Sequence, residues 1–137
     1  MRHLLEQIAK KAGKDNRLLK IADEYTSYLG NWQEGYCWHF ALAFQEYAQR
    51  GELCAVAIQD KTCWSASHVM LKIGDRLIDS RGGCTEATAK RRHDAWYATK
   101  ITSKVMPLHE CDTSDIEPRP CNEVVRRLAR RIRKLEN

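Results

Sequence analysis

No run in the chain approaches the roughly 18 consecutive apolar residues of a membrane-spanning helix. The opening Met1-Arg2-His3-Leu4-Leu5-Glu6 lacks the apolar core and small-residue cleavage site of a secretory signal. No pair of cysteines stands as C-x-x-C, so the usual structural-zinc pattern is missing. The zinc-deaminase signature fails too: Pro120-Cys121 has no second cysteine, and His109-Glu110-Cys111 runs in the wrong order. There is no internal repeat and no low-complexity segment. Proline is scarce, and all three prolines fall within residues 107–120. The expectation is a globular chain with no cofactor and no metal site. A hydrophobic content of 43% and a charged content of 30% agree with that class. At 137 residues the length favours one domain, spanning residues 1–137. Six cysteines could pair in an oxidising compartment, but without a signal reduced thiols in the cytoplasm are the expectation.

The chain is organised around Gly35-Tyr36-Cys37-Trp38-His39-Phe40-Ala41-Leu42-Ala43-Phe44. Apolar residues at Cys37, Phe40, Ala41, Phe44 and Tyr47 share one helical face. Gly35 lets the chain turn into this helix, and Gly51 is expected to cap its end. A thiol at a helix N-terminus sits in the positive end of the helix dipole, which favours the nucleophilic thiolate. His39, two residues on, lies on a different face and is a poor partner for it.

A partner is offered downstream. Ser67-His68-Val69-Met70-Leu71-Lys72-Ile73 alternates, then Gly74-Asp75, then Arg76-Leu77-Ile78-Asp79-Ser80. Gly-Asp between two such runs signals a two-residue hairpin loop. Ile73 then pairs with Arg76, Lys72 with Leu77 and Met70 with Asp79. His68, Met70 and Asp79 share one face, and Val69, Leu71 and Ile78 the other. His68 and Asp79 become diagonal neighbours within hydrogen-bonding reach. A register slip of one residue would destroy the arrangement.

A cysteine at a helix start, a histidine on a strand and an aspartate on the next strand follow in that order. The chain resembles the papain-like thiol enzymes, and more closely their compact transglutaminase-like branch. Residues 35–41 resemble the nucleophile helix of papain-type proteases, including the Trp after the Cys. His68 to Asp79 resembles the His-strand, hairpin and Asp-strand of transglutaminase-like proteins. His68 follows Cys37 by only 31 residues, against about 130 or more in papain itself. The third member is Asp where papain has Asn. Both departures favour the compact branch. The resemblance implies an α+β fold, with N-terminal helices, including the nucleophile helix, packed on a small antiparallel sheet. It implies a cysteine hydrolase or acyltransferase (peptidase, deamidase or transglutaminase-like) that works through a thioester on Cys37, with Cys37, His68 and Asp79 catalytic. The substrate would be a protein or peptide amide. An upstream amide side chain helps form the oxyanion hole in that family. Asn31 and Gln33 are both candidates here.

The remaining chain reads as supporting structure. Residues 2–12 form a short helix, and Asp15 or Asn16 caps a second one that runs to Leu29 with Leu18, Leu19, Ala22, Tyr25 and Leu29 as its stripe. Gly30 would end that helix. Residues 53–58 form a buried strand. Residues 59–65 read as a connection, Arg81-Gly82-Gly83 as a flexible break, residues 85–96 as helical and residues 97–102 as a weak strand. Residues 106–120 read as a loop. Cys63, His68, Cys84, His93, His109, Cys111 and Cys121 are the available metal-ligand types, but their spacing favours no metal site. The cysteines other than Cys37 read as buried or incidental thiols.

Asn122 is expected to cap a basic C-terminal helix at 122–135. It carries Arg126, Arg127, Arg130, Arg131, Arg133 and Lys134 against Glu123 and Glu136, with Val125, Leu128, Ile132 and Leu135 as its apolar stripe. One reading is a solvated face on a helix packed against its own domain. The other is a non-enzymatic interaction module of the same fold, binding an acidic partner, nucleic acid or anionic membrane. No aromatic residues interleave the arginines, which weighs against single-strand nucleic acid.

Overall fold

A computed structural model describes residues 3–11, 13–29, 36–116 and 119–136, and the side chains of these except at 25–29. The elements run α1 (His3–Lys10), α2 (Asn16–Leu29), α3 (Cys37–Ala48), β1 (Glu52–Asp60), β2 (Cys63–Ile73), β3 (Arg76–Asp79) and β4 (Gly82–Cys84). They continue with α4 (Glu86–Asp94), β5 (Ser103–Pro107), a 3-10 turn (Leu108–Glu110) and α5 (Asn122–Lys134). The strands form one antiparallel sheet in the order β4-β3-β2-β1-β5. The architecture is therefore α+β with a small antiparallel sheet.

One sheet face carries Leu71, Ile73 and Ile78 into a core shared with α1, α2, α3 and α5. The periodic residues of α3 behave as expected: Phe40, Ala41 and Phe44 are fully buried, and Tyr47 nearly so. The opposite face carries Cys54, Val56, Met70, Leu77 and Cys84 beneath Ala89 of α4. This alternation is the strand period of two expressed on both faces. All six cysteines are free thiols. Burial and nearby acidic charge push the Cys54 thiol up to about 11, and burial raises Cys84.

Asp15 caps α2. Its Oδ1 accepts from the backbone N–H groups of Arg17 at 2.9 Å and Leu18 at 3.3 Å, meeting two of the donors that a helix start leaves open. Asp15→Ala should destabilise the fold by about 1 kcal/mol. Urea denaturation checks this, and an unchanged midpoint would remove Asp15 as the cap.

Several expectations are corrected. Gln49, not Gly51, caps α3: it adopts φ 56°, and its N–H donates to Gln45 O. Gly51 instead leads into β1 against Leu71, where a Cβ would lie 2.9 Å from Leu71 Cδ1. Residues 59–65 are mostly strand, because β1 runs to Asp60 and β2 starts at Cys63, with Lys61 at φ 53° in the turn between them. Arg81-Gly82-Gly83 is no flexible break. Gly82 and Gly83 pair with Asp79 and Ile78, and Gly83 lies directly under α1. Residues 97–102 are not a strand; β5 starts at Ser103, where Ser103 and Lys104 pair with Ile58 and Ala57. Asn122 lies inside α5, and Cys121 occupies the cap position without a side-chain cap bond. The Cys121 N–H donates instead to His39 Nε2 at 3.0 Å, which ties the start of α5 to α3. Gly30 and Gly35 lie outside the described residues, as do the side chains of Tyr25 and Leu29.

On α5, Val125, Leu128, Ala129 and Ile132 are buried. Arg131 pairs with Glu24 of α2, and Arg127 with Glu123. Arg126, Arg130 and Arg133 are exposed. No helix among the described residues is long and apolar enough to cross a membrane.

Candidate active site

β2 organises the site. Its backbone N–H groups alternate between the edge facing β1 and the edge facing β3. Pairing with β3 covers Ile73, Lys72 and Leu71. At the other end of β2 the Ala66 N–H donates to Asp112 O at 2.8 Å. A gap remains between these two supports. The Val69 N–H falls in it and donates to Cys37 Sγ at 3.4 Å. The first residue of α3 thus satisfies a strand donor that β3 is too short to reach.

His68 precedes Val69 on the same strand. Its Nε2–H donates to Asp79 Oδ2 at 2.9 Å. The Arg81 N–H donates to the second carboxylate oxygen, Oδ1, at 2.9 Å. The predicted hairpin register holds at Ile73↔Arg76, Lys72↔Leu77 and Leu71↔Ile78, and it brings His68 and Asp79 together on one face. Gly74 takes φ +63° in the loop, with open space where a Cβ would sit. The Cys37 thiol is the second neighbour that favours charge on the imidazole.

The electrostatics follow from these neighbours. Burial opposes charge on His68, but Asp79 and Cys37 outweigh it and raise the imidazole to about 10. Burial likewise opposes ionisation of Asp79, yet His68 and the Arg81 N–H hold its carboxyl below the usual range. The two side chains, 21% and 13% exposed, behave as an ion pair.

Cys37 is only 1% exposed. A cavity of about 660 Å³ reaches His68 and Asp79, and Ala66 and Ile116 form part of its wall. Those same two residues pack with Cys37 in one apolar cluster.

Asn31 and Gln33, the oxyanion candidates, lie outside the described residues. His39 faces the Tyr36 ring and Cys121, and burial keeps its imidazole neutral. Among the described residues, no group of three or more His, Cys, Asp or Glu is placed to hold a metal ion. Sequence reading passed over a second polar group in the cavity, built from Ser67, His93 and Tyr97, with Asp94 bonded to His93. His93 drew notice only as a metal-ligand type, and no sequence spacing links it to Ser67. No protein-family model matches the chain, and no curated protein or solved structure shows significant similarity to it.

Proposed function

We propose that the protein is a cysteine-dependent amide hydrolase or acyltransferase of papain-like, transglutaminase-like architecture. The observation that carries this reading is His68 hydrogen-bonded to Asp79, with the thiol of a helix-start cysteine also favouring its charged form. A buried carboxylate beside a histidine is costly unless the imidazole is meant to carry charge. An imidazole raised to about 10 is cationic at neutral pH. The order of helix, His-strand and Asp-strand supports the family assignment.

Asp79 fixes Nε2 as the protonated nitrogen and leaves Nδ1 to exchange a proton with Cys37. The thiolate attacks a peptide or side-chain amide carbonyl and forms a tetrahedral oxyanion. The Cys37 N–H and an upstream amide, Asn31 or Gln33, are the proposed donors to that oxyanion. His68 protonates the leaving amine as the C–N bond breaks, and a thioester remains on Cys37. Water gives hydrolysis or deamidation, and an amine gives acyl transfer.

Iodoacetamide labelling followed by mass spectrometry tests the assignment. Exposure alone favours Cys63 and Cys121, which are exposed, over the buried Cys37. Activation by His68 predicts Cys37 as the fastest thiol at neutral pH. Ile116→Ala trims a side chain that lines the cavity and belongs to the Cys37 cluster, and should speed Cys37 labelling further. Labelling of Cys37 slower than Cys63 in both proteins would end the nucleophile assignment.

The alternative, an interaction module acting through the arginine-rich helix, has less behind it. Two of the five arginines are engaged in ion pairs with Glu24 and Glu123, and the stripe of α5 is buried against its own domain.

A further inference from the structure

We propose a second nucleophilic centre in the same cavity: Ser67, activated by His93 and Asp94, accepting the acyl group of aromatic or other apolar esters. It does not rest on the role of Cys37.

His93 sits in the last turn of α4, and its side chain is 8% exposed. Its Nδ1 lies 3.0 Å from Asp94 Oδ1. A carboxylate only accepts, so Nδ1 carries the proton and Nε2 is the acceptor. Ser67 Oγ lies 2.8 Å from that Nε2 and must donate to it. The hydroxyl proton therefore already points at a base, as nucleophilic catalysis by serine requires. Asp94 is itself fixed: Ser103 Oγ donates to Oδ1 at 2.6 Å and Lys90 Nζ to Oδ2 at 2.8 Å. These contacts, against burial, hold its carboxyl down at about 2. Burial and the charge on His68 keep His93 neutral, despite Asp94.

Ser67 sits where the β1–β2 register shifts. Val56 pairs with His68 and Ala57 with Ala66, so Ser67 has no partner across the ladder. A bulge of this kind re-aims a side chain, and here the hydroxyl lines the cavity. The Tyr97 hydroxyl lies 3.3 Å from Ser67 Oγ, placed to donate to an oxyanion formed there. Its ring packs against His93 at 5.2 Å between centroids.

A second observation points to the ligand. Among the described residues, Trp96 (62% exposed) and Tyr97 (40%) are the exposed large hydrophobic side chains, and both line this cavity. Exposed aromatics at the wall of a cavity holding a few convergent polar groups suit a substrate with an apolar or aromatic body.

In the reaction, Ser67 Oγ bonds to the ester carbonyl carbon while its proton passes to His93 Nε2. The tetrahedral intermediate collapses by breaking the bond to the alcohol oxygen, and His93 returns the proton to that oxygen. Water then attacks the acyl-serine ester and gives its proton to His93. The acid departs, and Ser67 Oγ is reprotonated.

A fluorophosphonate probe bearing an aryl group, applied to the full-length Cys37→Ala protein so that no thiol competes, tests this centre. The expected result is one phosphonate on Ser67, found by peptide mass spectrometry. The adduct should vanish in Cys37→Ala/Ser67→Ala. It should form roughly 10²-fold more slowly in Cys37→Ala/His93→Gln, which removes the base. Circular dichroism establishes that each variant is folded. Tyr97→Phe keeps the ring packing and should still slow labelling. If Ser67 stays unlabelled in folded Cys37→Ala, or labels no faster than in the His93→Gln variant, the serine only docks α4 onto the sheet and the proposal fails. Neither result bears on Cys37, which iodoacetamide reads separately.

Discussion

Asp79→Asn should give a folded protein whose Cys37 is acylated roughly 10⁴-fold more slowly, by analogy with the matching change in serine triads. The carboxylate has two engagements: Oδ1 accepts from the Arg81 N–H, and Oδ2 accepts from His68 Nε2–H. Asparagine keeps one oxygen. If that oxygen stays with the Arg81 N–H, its amide NH₂ faces Nε2 and makes Nε2 the acceptor. The ring proton then moves to Nδ1, the nitrogen that should receive the thiol proton. The same change removes a cause of the raised His68 pKa, so the ring should titrate closer to its ordinary value. Stability follows with a definite sign. A group raised in the folded state stabilises below its unfolded value, near 6.5, and loses that contribution as pH climbs toward about 10. The parent should therefore lose stability over that interval, and Asp79→Asn should lose less. The measurements are the imidazole nitrogen shifts of His68, denaturation at both ends of the interval, and single-turnover acylation of Cys37 by an activated acyl donor. Acylation within ten-fold of the parent would take Asp79 out of the mechanism.

The His68–Asp79 pairing was legible because it rests on local rules. A two-residue loop with glycine first sets the register, and strand alternation then assigns the faces. The Cys37 helix was legible from its period. What escaped was set by partners distant in sequence. Ser103 to Pro107 is a strand because β1 pairs with it, although the weak alternation at residues 97–102 is the stronger local cue. The outer half of β2 is half-exposed, so the apolar pattern that would have marked it is absent. The bulge at Ser67 has no sequence marker, and the bond from Ser67 to His93 spans 26 positions onto a different element. The gap in β2 that admits Cys37 comes from how short β3 is, which loop signals do not specify.

Gly83 shows the same limit from the side of packing, and its replacement should be the most destabilising single methyl addition in the sheet. Composition marks Gly82-Gly83 as a break, yet Gly83 pairs with Ile78 in the β3–β4 ladder. A Cβ there would lie 2.5 Å from Ile8 O and against the Ala9 backbone. These are backbone atoms of α1, with no side-chain end to swing aside, so the helix itself would have to move. α1 carries Leu5 and Ile8, both at most 1% exposed, into the main core, and a displaced helix uncovers them. Gly83→Ala should cost about 3 kcal/mol, the upper part of the range for overpacking. Gly74→Ala is the control. Gly74 has open space around a would-be Cβ but takes φ +63°, so its change carries backbone strain of about 1 kcal/mol and no clash. Gly83 does not require positive φ, so its cost is steric alone. Urea unfolding of both variants separates the two causes. The damage should also reach the site, because the Asp79↔Gly82 pair adjoins Gly83, and the Asp15 N–H holds Arg81 O at 2.7 Å from the α1–α2 side. Cys37 labelling in Gly83→Ala should therefore slow even at temperatures where the protein stays folded. A Gly83→Ala midpoint equal to that of Gly74→Ala would mean that α1 is free to shift, and that its packing does not hold the Asp79 turn in place.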